Sequence, residues 1–526
     1  MPRRAVLAGL LAAALLLLLA FLWKSFFVDD AFIGFRYVDN ALLGRGLVFN
    51  PPERVEGVSN IGWLLVLLPF ARIMPVTAAA KILSFVLVFA ALALLARFVS
   101  RWPGAAGERL VLSFLPLLAV VNVDLTYFSL AGMETALAAF VLSLMLVLSA
   151  RRKDLALLAV LGAFLFLVRP EGVLLFPFFL VFRNGTSAAR WKSSAGAILA
   201  FVGLLALFTL ARKTYYGAYL PNTFGAKSTS WSTFAANTLS FLTGSNVNIP
   251  FPIPGWLALP VWFNGLRLAL RADRAIGALL GGALSTGILF CLYAVPDWTG
   301  MGRYFAPYIP LALFVFLAGL SGLIRSLVLF STRSAKSFPF LTGLAVAGLI
   351  VSGAVGTFFF MQPVRAEDYP GYVLTGVSLV GPSLWMRDHL PPDAVVAAGR
   401  IGALGYYSQK KIFDYKFGLT DPAVAALRRA AKEPFEDPRD PALAEIWAKT
   451  DPGYFLEDLR RIRNVFHADP EKSETLIIHG RTFRPIKTFP VGLDADWVLC
   501  ERTDRLPDPG PAKAADPASG GQGIQP

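Results

Sequence analysis

The stretch 26-FFVDDAFIGFRYVDNALLGRGLVFNPPERVEGVSNIGW-63 follows a long apolar run and opens with two adjacent carboxylates, Asp29 and Asp30. Arg36, Asp39, Arg45, Glu53, Arg54 and Glu56 come soon after. Such polar density is foreign to the rest of the chain. The 526 residues are 56% hydrophobic and 16% charged, with a mean hydropathy of +0.58. The apolar residues fall in long runs rather than at helical or strand periods, the pattern of an integral membrane protein. The fold therefore turns on where this stretch lies relative to a bilayer.

Before it, residues 1–4 are basic and residues 5–23 form an apolar run of about 19 residues, enough to cross roughly 30 Å of hydrocarbon. A signal peptide begins in the same way, but Lys24-Ser25-Phe26-Phe27 offers no small-residue cleavage site, so this run is expected to remain as the first span. With its basic end cytoplasmic, Asp29 and Asp30 emerge on the opposite face. Further runs follow over residues 78–95, 111–121, 133–149, 155–168, 173–182, 195–210, 256–270, 276–295, 306–323 and 340–360, with a juxtamembrane or re-entrant piece at 59–74. Arg169-Pro-Glu-Gly172 breaks two short runs and suggests a deep turn there. The count is about eleven spans with the N-terminus inside, because almost every Lys/Arg cluster then falls on one side. The loops after Trp23, Asn122, Val168, Leu210 and Val295 fall on the other.

From Gln362 the composition turns polar. Short strands are expected at 395–398, 475–478 and 497–500 and helices at 422–432 and 441–449, giving a small extracytoplasmic α/β domain. The expected organisation is a transmembrane region over 1–362, with the acid-pair loop at 26–63, an α/β domain over 363–504, and a Pro/Gly/Ala-rich disordered tail over 505–526.

Composition also excludes some functions. The net charge of +14 comes from Lys and Arg placed between apolar runs, as loop anchors are, and not from a nucleic-acid-binding face. Two cysteines, Cys291 and Cys500, are too few and too differently placed for a disulfide framework or metal cluster. Gly399-Arg-Ile-Gly-Ala-Leu-Gly405 follows an expected strand, but its spacing is GxxGxxG rather than that of a dinucleotide loop. Asn184-Gly-Thr186 falls on the expected cytoplasmic side, where it is not a glycosylation acceptor.

An acidic pair at the mouth of a span has two readings. A carboxylate there can act as a general base, its pKa raised by desolvation and lowered by a nearby Arg. Alternatively Asp29 or Asp30 caps a helix running to Leu43 and ending at Gly44 and Gly46. Arg36, seven residues after Asp29, would lie on the same helical face about two turns on. Arg36, Arg54, Arg169, Arg212, Lys213, Lys227 and Arg303 are suited to an anionic group. Tyr215, Tyr216, Tyr219, Trp298 and Tyr304 can stack on a sugar ring or anchor at the interface. Glu56, Asp124, Glu134, Glu171 and Asp297 can bind hydroxyls or pair with the arginines.

These residues lie in segments that resemble a known family. The first loop, LTYFSLAGMETALAAF (125–140), LVRPEG (167–172), TYYGAYLPNTFGAK (214–227), DWTGMGRYFAPYIPL (297–311) and AVVAAGRIGALGYYSQKKIFDYKFGLTDP (394–422) resemble the GT-C membrane glycosyltransferases. The branch they look most like contains the mycobacterial terminal β-arabinofuranosyltransferases. The resemblance implies a mainly α polytopic helical bundle of GT-C type carrying an external α/β domain. It also implies an inverting transfer from a polyprenyl-phosphate sugar to a glycan or glycolipid hydroxyl, on the extracytoplasmic face of a bacterial inner membrane. An Asp of the first external loop is the base in that family, which carries over onto Asp29 or Asp30, with Asp29 favoured as the first acid after the span.

Arg36, Arg54, Lys227 and Arg303 are then the residues expected to hold the donor phosphate. Glu56, Glu134, Tyr215, Tyr216, Asn222, Asp297 and Trp298 are expected to bind sugar or acceptor. Arabinofuranose is suggested by the branch alone. The lipid carrier also follows from chemistry, since nucleotide sugars are absent outside the membrane. No metal site is assigned; Mg or Mn could use Asp29, Asp30 and Asp297 as oxygen ligands, yet their spacing specifies no site. A transporter or flippase also combines apolar spans with buried charges, and a non-catalytic carbohydrate-binding scaffold would leave the acid pair dispensable.

Overall fold

The architecture comes from a computed structural model that describes residues 3–22, 24, 26–103, 106–150, 155–226, 231–244, 254–295, 302–331, 341, 343–353, 379–431, 437–472, 474–490 and 496–504. Most are helical. Val76–Ser100, Ala188–Tyr216, Arg274–Tyr293 and Ala306–Val328 are long and apolar enough to cross a membrane. Glu108–Val120 and Val123–Leu130 form a pair bent by 49°, and shorter apolar helices include Leu7–Leu22, Ile61–Ala71, Thr135–Ser149 and Leu155–Val168. The protein is a multi-pass membrane protein, as the apolar runs imply.

Local chemistry sets the helix limits. Asp273 accepts from the amides of Ala275 and Ile276 to start Arg274–Tyr293, and Gly217, at φ +77°, ends Ala188–Tyr216. Glycines bring two helices together: a Cβ on Gly265 would lie 1.9 Å from the Val315 carbonyl oxygen, and one on Gly319 2.0 Å from that of Val261. The region 212–254, expected as a loop, instead extends the helix to Tyr216 and adds Trp231–Thr243, where Asn237 and Phe241 are buried four residues apart.

The C-terminal region forms a six-stranded sheet of order β2-β1-β3-β6-β5-β4. Its strands are β1 Val395–Ala398, β2 Lys411–Asp414, β3 Tyr454–Asp458, β4 Leu476–Ile478, β5 Arg481–Phe489 and β6 Trp497–Arg502. β1 pairs in parallel with β2 and β3, and the remaining pairs are antiparallel. Trp447, Phe455, Phe483 and Phe413 pack a core on this domain.

The link between the two regions is one helix lying on another. Asp29–Leu42 is a helix with Val28 as N-cap and no side-chain cap bond, so neither Asp29 nor Asp30 caps it. Asp29 instead accepts from the amides of Gly402 and Ala403, at 3.1 and 2.8 Å, at the start of the short helix Gly402–Ser408. Seven residues on, Arg36 donates to the carbonyl oxygens of Gly405 at 2.6 Å and Lys410 at 2.8 Å, at the other end of that helix. The GxxGxxG pattern is thus a close-packing surface: a Cβ on Gly402 would meet the Asp29 carbonyl oxygen at 1.9 Å, and one on Gly405 would meet Phe49 at 2.5 Å.

Gly402→Ala is expected to lower the stability of this contact by about 1–3 kcal/mol, since helix and sheet domain must separate to admit a methyl group. The check is the melting temperature of the purified chain together with protease cutting of residues 379–504. Gly381→Ala, where a Cβ meets nothing within 4 Å, should leave both unchanged.

Candidate functional site

Beside this contact lies a cavity of about 450 Å³, its lining shared between the membrane region and the sheet domain. The membrane side contributes Asp29, Asp30, Asn60, Met133, Thr223 and Arg303, and the sheet side Arg400, Lys416, Phe417, Arg428, Arg461 and Trp497. The two acids of the pair differ in what they do. Asp29 is buried and bonded to two amides, whereas Asp30 is partly open to the cavity and pairs with Arg303 at 2.6 Å. Consecutive residues point about 100° apart around a helix, so one acid meets the docked domain while its neighbour meets the cavity.

Arg303 owes its place to a buried carboxylate. Asp124 accepts from the Gly302 amide at 3.0 Å, which holds the turn just before Arg303. On the neighbouring loop, Asn60 lines the cavity and donates to Glu134 at 2.7 Å. Glu134 in turn pairs with the buried Arg169 at 3.0 Å, and Arg169 with Glu171 at 2.5 Å. This chain of partners fixes the far wall and satisfies charges that would otherwise be costly to bury.

The sequence-predicted residues are thus sorted by their partners. Arg36 is not a phosphate ligand: it is buried, its guanidinium bonds backbone carbonyls and stacks 4.4 Å over Phe49, and burial pulls its pKa down to about 9. Arg54 is exposed, lies 5.0 Å from the Tyr215 ring and does not line the cavity. Glu56 is buried against Arg212 at 2.6 Å, with burial raising its pKa and Arg212 opposing. Tyr215 accepts from the Leu47 amide at 2.8 Å and Tyr216 donates to the Leu47 carbonyl at 2.9 Å, so both tyrosines brace the first loop rather than the cavity. Asn222 donates to Gly418 and Leu419 oxygens of the sheet domain at 2.6 and 3.0 Å. Glu134 supports the wall through Asn60. Lys227, Asp297 and Trp298 lie outside the described residues.

The cations and indole of the sheet-domain wall escaped sequence reading. The signal available was Lys416-Phe417 within the family-like segment, where Lys416 and Arg428 both lie near the Phe417 ring, at 5.4 and 5.0 Å. For a divalent ion, Asp29 has both oxygens on amides and Asp30 faces Arg303. No three His, Cys, Asp or Glu side chains converge among the described residues, and Asp297 lies outside them.

Most of the chain shares the GT-C fold. ArnT from Cupriavidus metallidurans superposes with a TM-score of 0.54 at 14% identity, over 93% of this chain and 97% of that one. The archaeal oligosaccharyltransferase AglB from Archaeoglobus fulgidus does so with a TM-score of 0.55 at 9% identity, over 88% and 70%. In sequence the chain is similar to the terminal β-(1→2)-arabinofuranosyltransferase of Mycobacterium tuberculosis, at 28% identity over 431 residues, 77% of this chain and 64% of that protein. The chain thus matches less than two thirds of that relative's length. A shorter similarity, 28% over 155 residues, covers 36% of multidrug resistance protein D of Escherichia coli. Residues 375–507 match a domain of unknown function, DUF8728. The resemblance to GT-C glycosyltransferases read from the sequence is borne out.

Asp29 gives the contact a pH dependence. Burial raises its carboxyl to about 6, opposed by the amides of Ala403 and Gly402, while Asp30 adds to the rise. A carboxyl at about 6 in the folded chain against 3.8 as its ordinary value binds its proton more tightly when folded. Its contribution is full below pH 3.8 and is lost as pH rises through about 6. Asp29→Asn should therefore remove a decline in stability of about 3 kcal/mol across that window. Melting temperatures of the two proteins from pH 4 to 7 check this, and parallel curves would contradict it.

Proposed function

We propose that the protein is an inverting glycosyltransferase that moves a sugar from a polyprenyl phosphate to a glycan hydroxyl, with its cavity on the extracytoplasmic face of the bacterial inner membrane. The observation that carries the reading is the Asp30–Arg303 pair, 2.6 Å apart on the wall of a cavity between the helical region and the sheet domain. A base and an anion-binding cation side by side are what displacement of a phosphate by a hydroxyl requires. AglB was solved in complex with an inhibitory peptide and a dolichol-phosphate, and a lipid phosphate held by a protein of this fold supports a donor of that kind. Arabinofuranose is the sugar proposed, on the name of the mycobacterial relative.

In this mechanism the donor's phosphate competes with Asp30 for Arg303, leaving the carboxylate to the acceptor. Asp30 takes the hydroxyl proton as the acceptor oxygen forms its bond to the anomeric carbon. The bond from that carbon to the phosphate oxygen breaks on the opposite side, and polyprenyl phosphate leaves with its negative charge against Arg303. Attack opposite the leaving group inverts the anomeric centre. Asp30, rather than Asp29, is the proposed base, because Asp29 has both carboxylate oxygens engaged by the docked helix.

Asp30→Asn should lower transfer by about 10²–10⁴-fold, the usual contribution of a positioned general base, with melting temperature unchanged. The assay uses the purified full chain, a synthetic polyprenyl-phosphate arabinofuranose and an arabinan acceptor. Transfer at the wild-type rate by Asp30→Asn would remove the base assignment. Movement of a solute across vesicles without any transfer would instead identify a transporter.

A further inference from the structure

Asn60 stands at the N-cap of the helix Ile61–Ala71 but makes no side-chain cap bond. Asn122, the same residue type at the same kind of position, accepts from the Leu125 amide at 3.0 Å and starts Val123–Leu130 in the usual way. Asparagine is favoured at an N-cap for that bond, so a side chain that forgoes it is committed elsewhere. The Asn60 side-chain nitrogen donates to Glu134 Oε2 at 2.7 Å, and the residue is half-buried on the cavity wall.

Glu134 decides which end of the amide it takes. Its other oxygen pairs with the Arg169 guanidinium at 3.0 Å, and a carboxylate in an ion pair only accepts. Asn60 therefore turns its nitrogen to Glu134, and its carbonyl oxygen has no bond among the described residues. Unlike the Thr223 hydroxyl on the same wall, that oxygen is accessible. Ser59 also lines the cavity, and its hydroxyl has no bond among the described residues.

An amide oxygen can only accept, so the ligand atom that meets it must donate. Phosphate and carboxylate oxygens bring lone pairs and are unsuited to it. An ammonium is not called for, because Glu134 is already paired with Arg169. A hydroxyl fits.

Two ties set this amide against the reacting pair. Arg169, which holds Glu134, also donates to the Tyr304 carbonyl oxygen at 3.5 Å, next in the chain to Arg303. Gly57, three residues before Asn60, donates to the Tyr37 hydroxyl oxygen at 2.7 Å, and Tyr37 lies on the helix that carries Asp30. A group that reads the sugar joined to a phosphate at Arg303 needs such a fixed place relative to both.

We infer that Asn60 is a specificity-determining residue for the donor, its amide oxygen accepting a hydrogen bond from one hydroxyl of the sugar to be transferred. This rests on the preceding reading, which places the donor's phosphate at Arg303. A donor lacking that hydroxyl leaves the amide oxygen unpaired and is rejected.

The test uses the full chain in lipid nanodiscs with a short polyprenyl-phosphate arabinofuranose and its 2-deoxy, 3-deoxy and 5-deoxy forms. Binding is measured by microscale thermophoresis, and transfer to an arabinan acceptor is measured alongside. In the wild type one deoxy form should bind about tenfold more weakly, with kcat/KM lowered at least as far. Asn60→Ala should show that loss with the parent sugar, no further loss with that deoxy form, and an unchanged response to the other two. Asn60→Thr, whose hydroxyl can cap Ile61–Ala71, should match Asn60→Ala with melting temperature undiminished, which separates sugar reading from support of the helix. Equal losses with all four donors in both variants would overturn the proposal, since a structural asparagine acts on every donor alike. Variants that match the wild type would overturn it too. Transfer by a wild type indifferent to all three deoxygenations would keep the glycosyltransferase and remove the role of Asn60. Hydroxyl-dependent binding that Asn60→Ala abolishes, without transfer by any protein, would remove the glycosyltransferase and leave Asn60 reading a lipid-linked sugar. Absence of both binding and transfer would overturn both.

Discussion

The structure depends on a short helix held at both ends by opposite charges from one neighbour. Asp29 and Arg36 are seven residues apart, which along a helix is about 10 Å. Gly402–Ser408, also of seven residues, has nearly the same length. The carboxylate therefore reaches the amides at one end while the guanidinium reaches the carbonyls at the other. Both charges complement the partial charges of the helix ends: Asp29 takes two amides of the first turn, and Arg36 shares the Gly405 carbonyl with the Gln409 amide and takes the Lys410 carbonyl just beyond the helix. Two glycines let the axes approach closely enough for those bonds to form.

The cavity is consequently a product of docking and not of either region alone. Asp30 stands on the membrane side because its neighbour is anchored, and Arg303 stands opposite because Asp124 holds the turn before it. Asn50 reinforces the same seam, donating to the Ile412 carbonyl at 2.8 Å and accepting from its amide at 3.1 Å, beside the strand that leads to Lys416. Asn222 ties a separate segment to Gly418 and Leu419. Each tie pairs a buried side chain with backbone, so a displaced sheet domain would leave several polar groups unmatched together.

Much of the fold was legible in the sequence because it is written in local patterns. Apolar runs located the membrane helices; the strand expected at 395–398 coincides with β1, and those at 475–478 and 497–500 fall on β4 and β6. β2, β3 and β5 were missed, since Lys411–Asp414 is short and Arg481–Phe489 is largely polar. The cavity was legible only in part. Asp30 and Arg303 lie on it, but Arg36, which has the same local signature as an anion-binding arginine, is buried against partners 369 and 374 residues away. Nothing in a window around Arg36 distinguishes a guanidinium that binds phosphate from one that binds its own chain.

The same limit explains why the GxxGxxG segment looks, in sequence, so nearly like a nucleotide loop. Glycines before a helix after a strand let an anion approach backbone amides, whatever the anion is. Here the anion is the chain's own Asp29 carboxylate, and the glycines admit a neighbouring helix in place of a pyrophosphate. With that position filled from within, the charged side chains that line the cavity include Asp30 and Arg303 from one region and Arg400, Lys416 and Arg428 from the other. The acid pair is therefore divided: one member fixes where the second domain sits, and that placement decides what the other member faces.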